Sequence, residues 1–102
     1  MELILRSSKI PGLGEQDGFG ANAIVHVKLF YGTWTWLLTE YDRDNKLAFG
    51  FAYNASMPEC AELGYISIEE LAASQHPIER DIHFKPKTLA EAKEVECKGL
   101  FR

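Results

Sequence analysis

The sequence has few cysteines, no long apolar run and no excess of positive charge. Its two cysteines, Cys60 and Cys97, form no CxxC motif and have no histidine at zinc-binding spacing. We therefore expect free thiols in a reducing compartment, and the sequence assigns no cofactor. No stretch approaches the ~20 apolar residues of a membrane span, and the N-terminal apolar run is too short for a signal peptide. These absences predict a soluble, cytoplasmic protein without membrane contact.

The charge balance is mildly acidic, with a formal net charge of -4 at pH 7. Such a chain lacks the basic footprint of nucleic-acid-binding proteins, so direct binding to nucleic acid is not expected. Hydrophobic residues make up 46% and charged residues 25% of the 102 residues, which is ordinary globular composition. We expect one domain covering 1–102.

Antiparallel strands are predicted over residues 23–66. Glycines and a proline predict an irregular N-terminal segment over 1–21. Four β-branched or aromatic segments then follow, separated by turn residues, and they read AIVHVKLFY, TWTWLLTE, LAFGFAY and ELGYI. Gly50, within the third of these, indicates a bulge or a close approach of two backbones.

Two helices are indicated by the capping-box patterns SIEE and TLAE, which predict helices over 67–75 and 88–98. Gly99 is available as the C-terminal cap of the second helix. The alternation of ERDIHF predicts a further strand over 79–84. The expected fold class is α+β, an antiparallel sheet of about four to five strands with two short helices packed on one side. A β-barrel with helical decoration is the alternative.

A metal or acid/base set is the sharpest chemical pattern. On a strand, Glu79, Asp81 and His83 would project from one face and supply two carboxylates and an imidazole. A solvated strand face explains the same pattern and is favoured, because no fourth ligand can be identified. No residue is assigned a catalytic role.

An aromatic platform is a second candidate site. Trp34 and Trp36 share one strand face, and Arg43 and Arg80 supply positive charge for a bound nucleotide or other small ligand. The competing interpretation places these rings in the core, as is usual for aromatic residues in so small a domain.

Two loops resemble ligand cradles only superficially. The glycine-rich stretch between Gly12 and Gly20 precedes a strand, whereas a phosphate-binding loop follows a strand and opens a helix. The acidic residues Glu40, Asp42 and Asp44 do not follow the spacing of an EF-hand, so they predict a solvated hairpin turn.

Several motifs resemble a family catalogued only as a domain of unknown function. They are IPxL at 10–13, WxW at 34–36, TEYD at 39–42, AELGYxS at 61–67 and PIERDxHFKP at 77–86. The members of that family are small single-domain proteins carried by plasmids, phages and integrative elements. The resemblance implies this context but assigns no activity.

The resemblance also marks shared positions, which are Glu62, Tyr65, Glu79, Arg80 and Asp81. These residues are interpreted as an interaction surface or as a structural ion pair. In the second case, Arg80 would pair with Glu62 or Glu79 and join the segment at 79–84 to the sheet.

Three functions are weighed. The first is a non-enzymatic accessory protein of a phage or other mobile element that binds a host protein, with an anti-defence role if that protein is a defence component. The second is a module that binds or sequesters a small ligand or nucleotide, and the third is a metal-assisted hydrolase. The edges of so small a sheet also make a homodimer possible.

Overall fold

A computed structural model describes residues 3–98 of the chain. The strands are β1 (Ile24–Val25), β2 (Val27–Tyr31), β3 (Trp34–Asp42), β4 (Leu47–Asn54), β5 (Glu62–Ser67), β6 (Glu79–Arg80) and β7 (Lys87–Thr88). The helices are α1 (Ile68–Ala73) and α2 (Leu89–Glu96), and short 3₁₀ turns lie at Gly20–Asn22 and Pro58–Cys60. Within residues 3–98, no helix has the length and apolarity that a membrane crossing requires.

The main sheet has five antiparallel strands in the order β5-β4-β3-β2-β6. Strands β2 to β5 are consecutive neighbours, because short turns join successive strands into hairpins. The tightest turn connects β2 to β3 through Gly32, whose φ of 56° suits a two-residue hairpin loop. Strands β1 and β7 form a separate two-stranded sheet. The predicted α+β class with an antiparallel sheet is confirmed.

A bulge interrupts the pairing of β3 with β4. Leu38 lies opposite Gly50 and Glu40 lies opposite Phe49, so Thr39 is the extra residue on β3. At Gly50 an added Cβ atom would stand 2.1 Å from the carbonyl oxygen of Leu37. Both features indicated by the glycine, a bulge and a close backbone approach, are therefore present.

Both faces of the sheet carry a hydrophobic core. Trp36 and Leu38 project into one core, whereas Leu37 between them projects into the other. Helix α1 contributes Ile68 to the first core and α2 contributes Leu89 to the second. The helices therefore lie on opposite faces, not together on one face as the sequence suggested, because alternation on the central strands leaves two apolar faces to cover.

Two predicted strands are divided or shortened. The first breaks at His26, and the break allows Val25 to pack in the second core while Val27 packs in the first. The strand expected over 79–84 ends at Arg80, because the chain turns at Asp81. The predicted cap Gly99 lies outside the described residues.

The N-terminal segment contributes to the first core although it contains no strand. Leu3, Ile4 and Ile10 are buried there against the sheet. The hairpin arginine Arg43 holds this segment, because its Nη2 donates to the carbonyl oxygens of Leu5 at 3.1 Å and Ser8 at 3.0 Å.

Candidate functional site: an exposed sheet edge

Strand β5 forms one edge of the five-stranded sheet. It pairs with β4 from Glu62 to Ser67 without a shift in register, and no strand within residues 3–98 lies on its other side. Natural edge strands are usually blocked by proline, lysine, a bulge or a covering segment. After Glu62 at its start, strand β5 contains no charged residue and no proline. This edge is therefore a regular stretch of backbone that can accept another strand.

An apolar strip borders the edge. Phe49, Leu63 and Tyr65 lie on one face, because Tyr65 is opposite Phe49 in the register and Leu63 is two residues away. We call these three residues the β5 strip. The Tyr65 side chain is 69% exposed and Leu63 is 46% exposed. The Tyr65 ring meets that of Phe49 edge to face, with centroids 5.3 Å apart.

Helix α2 covers only part of the face to which the strip belongs. Its residues Leu89 and Ala92 pack in one cluster with Leu37 and Phe51. Lys93 extends over the Phe51 ring, with Nζ 4.3 Å from its centroid. Leu63 and Tyr65 lie beyond this cluster, on the edge strand, which explains why they stay exposed, whereas Phe49 on β4 is half-buried.

The proposed aromatic platform is not assembled as a four-residue site. Trp34 and Trp36 do stack, with centroids 5.6 Å apart and planes 6° from parallel. However, Trp36 is buried in the first core and only 8% exposed. Arg80 lies on the same face of the sheet as Trp36, because both residues are opposite Leu29 of β2. Arg43 follows the far end of β3, roughly 30 Å from Trp34 along a nine-residue strand.

The predicted metal set is also not assembled. Because β6 ends at Arg80, Asp81 and His83 lie in a turn and no longer alternate with Glu79 along a strand. Asp81 Oδ1 instead accepts a hydrogen bond from the backbone amide of His83 at 2.9 Å. Among residues 3–98, no three histidine, cysteine, aspartate or glutamate side chains form a group able to hold a metal ion.

The expected ion pairs of Arg80 require a correction. Glu62 is in β5 and Arg80 in β6, which are opposite edges of the sheet, roughly 19 Å apart at four interstrand spacings. The side chains of Glu79 and Arg80 project from different faces of β6, because the two residues are adjacent and pair with Phe30 and Leu29, respectively. Neither carboxylate therefore faces Arg80.

Lys28 makes ionic contacts that join the segment after β6 to the sheet. Its Nζ lies 2.5 Å from Glu96 Oε2 in α2 and 3.5 Å from Asp81 Oδ2 in the turn after β6. One lysine thus joins β2, this turn and the last helix. The alternation of charges in ERDIHF indicated a charged contact but not its partner, because the partner is distant in sequence.

The glycine-rich loop does cradle an anion, and the anion is a side chain of the protein itself. Glu40 is 5% exposed, and its carboxylate oxygens accept hydrogen bonds from the amides of Gly14 at 2.8 Å and Gln16 at 2.7 Å. The buried Gln16 side chain donates to the carbonyl oxygens of Ile24 and Thr39. The prediction that Glu40 lies in a solvated turn is wrong, because the bulge at Thr39 directs it into the loop.

The two thiols differ in accessibility, and both are free. Cys97 is fully buried, and burial, reinforced by the neighbouring Glu96 carboxylate, raises its pKa to about 11. It is therefore a protonated thiol at neutral pH, unsuited to nucleophilic attack. Partial burial lowers the pKa of His26, so this side chain is neutral at physiological pH.

Fold and site together define an α+β domain whose antiparallel meander ends in an exposed, apolar-flanked edge. The chain belongs to the family described as "Protein of unknown function (DUF2958)", whose model matches residues 13–93. This confirms the resemblance to a family of unknown function. Comparisons with curated proteins and with solved structures find no match.

Proposed function

We propose that this protein is a non-enzymatic, cytoplasmic binding module that docks a strand of its partner along the outer edge of β5. The observation that carries the proposal is the coincidence of a regular, unprotected edge with the exposed side chains of Leu63 and Tyr65. Strand addition uses both features, because main-chain hydrogen bonds provide affinity and alternate side chains provide specificity.

The partner we propose is a host protein. The resemblance to proteins of phages and other mobile genetic elements motivates this choice, and a defence component is the first class of partner to test. Binding that altered such a component would give the protein an anti-defence role. Aromatic and large apolar anchors such as Tyr65 commonly dominate the energy of such interfaces.

The test compares two double variants in a quantitative pull-down from host lysate. Leu63→Lys with Tyr65→Lys places two charges on the β5 strip. The matched control, Ile82→Lys with Val95→Lys, makes the same change in charge at two other exposed apolar residues, 74% and 52% exposed. We expect one specific partner, recovered at least about tenfold less by the strip variant and fully by the control.

Hydrogen exchange on the isolated complex locates the contact. Partner binding should slow exchange of β5 backbone amides, because a new ladder forms on that edge. Equal recovery by both double variants, or no specific partner, would overturn the proposal. Light scattering on the purified chain tests whether a second copy occupies the edge. If the wild type is a dimer and the strip variant is a monomer, the edge would be assigned to a second copy.

A further inference from the structure

A second surface, unrelated to the β5 strip, lies between the N-terminal segment, the β3–β4 turn and α1. It is a cavity of about 660 Å³. Small-molecule sites in proteins typically occupy about 300–1,000 Å³. The cavity is therefore of the right size for a metabolite.

Positive charge is concentrated in this cavity although the protein is acidic overall. Arg6, Arg43 and Lys46 line it, and Glu69 is the one lining carboxylate. None of the three cations forms an ion pair with a carboxylate of the described chain. A negative group placed here would meet a net positive field, although all three cations are exposed to solvent.

Backbone contacts hold the Arg43 guanidinium and the turn that carries Lys46. The two bonds of Arg43 to the N-terminal segment both come from Nη2, so its Nε and Nη1 still carry donors for a ligand. Lys46 has a φ of 53°, a conformation that favours glycine or asparagine. Its carbonyl oxygen accepts from the amide of Ile68 at 3.0 Å, which ties the strained turn to the start of α1. Strain of this kind is concentrated at functional sites.

The rest of the lining is apolar. Leu3, Ile4 and Ile68 form a buried floor, and the Tyr41 ring stands beside Arg43, 5.7 Å from its guanidinium carbon. Apolar walls with a few convergent charges suit a ligand with an uncharged body and an anionic end. We propose that this cavity binds a phosphorylated small molecule of nucleotide size, with the phosphate at Arg6, Arg43 and Lys46.

The test is an NMR titration of the whole chain with AMP, ATP, adenosine and inorganic phosphate, each up to about 5 mM, which covers millimolar dissociation constants. We expect AMP or ATP to shift the amides of Lys46 and Ile68 saturably, whereas adenosine and inorganic phosphate bind at least about tenfold more weakly. Raising the ionic strength should weaken nucleotide binding, because the cations are exposed to solvent.

Matched variants locate the site. Lys46→Asn removes the charge with a residue that tolerates positive φ, and Lys85→Asn removes the same charge outside the cavity. Lys46→Asn should raise the dissociation constant at least about fivefold, and Lys85→Asn should leave it unchanged. Flat titrations with both nucleotides, equal effects of the two variants, or inorganic phosphate binding as tightly as AMP would each overturn the proposal.

Discussion

Gly50 determines the geometry of the middle of the sheet. The backbone of Leu37 passes so close that no side chain fits at this position. The bulge beside it reverses the facing of the residues that follow on β3, so that Glu40 enters the glycine-rich loop while Tyr41 reaches the first core and the basic cavity. The residue without a side chain thus lies beside the bulge that sends Glu40 and Tyr41 to opposite faces of the sheet.

Replacing Gly50 with alanine should destabilise the fold. The new Cβ atom would overlap the carbonyl oxygen of Leu37, and relief requires β3 and β4 to separate. We expect a loss of about 1–3 kcal/mol or more in the free energy of unfolding, measured by urea denaturation.

Gly64 provides the matched control, because it lies directly opposite Gly50 in the β4–β5 register. A Cβ atom there would meet no heavy atom of residues 3–98 within 4 Å. Gly64→Ala should be neutral or slightly stabilising through the unfolded state. Equal losses in the two variants would show that close packing at Gly50 is not the cause.

At the scale of elements, the glycine-rich loop behaves as an ordered part of the fold. Its amides bind the Glu40 carboxylate, and the side chain of Gln16 satisfies both the amide and the carbonyl oxygen of Ile24 at the start of β1. The loop is therefore attached both to β3 and to β1. Its order depends on two buried polar side chains rather than on a local helix or strand.

Glu40→Gln should release this loop. An amide offers one acceptor oxygen where the carboxylate offers two, and its NH₂ group would face backbone donors. We expect a loss of about 1–3 kcal/mol in stability and faster hydrogen exchange at Gly14 and Gln16 than elsewhere. Glu59→Gln, an exposed control, should change neither. Unchanged protection at both loop amides in Glu40→Gln would contradict the role assigned to Glu40.

Local signals in the sequence predicted the elements well and their contacts poorly. The TLAE pattern is a complete capping box in the structure, since Thr88 and Glu91 bond reciprocally. Period-two alternation indicated strands, but alternation cannot foresee the bulge that redirects Glu40. Nor can it show that residues 6, 43 and 46 meet in one cavity, because tertiary packing brings together positions distant along the chain. For the same reason the Lys28 contacts were missed.

At the scale of the whole molecule, Cys97 makes stability depend on pH in the alkaline range. Burial raises its pKa from an ordinary 9.0 to about 11, so the folded state resists loss of the thiol proton. The stabilisation of the folded state by the protonated Cys97 thiol is complete below pH 9.0. It decreases as pH rises towards about 11, because the thiol of the unfolded chain ionises first.

The measurement is the unfolding free energy at about pH 8 and about pH 10.5. Wild type should lose more stability over this interval than Cys97→Ala, which lacks the buried thiol. Cys60→Ser, which removes the exposed thiol, should behave as wild type does. The same loss in wild type and Cys97→Ala would show that other groups account for the pH dependence.

The two edges of the sheet are unequal, since β5 has six residues and β6 has two. Head-to-tail growth of a sheet from one molecule to the next requires two competent edges on every subunit, and open filaments arise only when such contacts repeat. A molecule with one long edge can add a single strand and then offers no equivalent surface. If a partner strand docks on β5, growth should therefore stop after one addition, because β6 offers only two residues to a further strand.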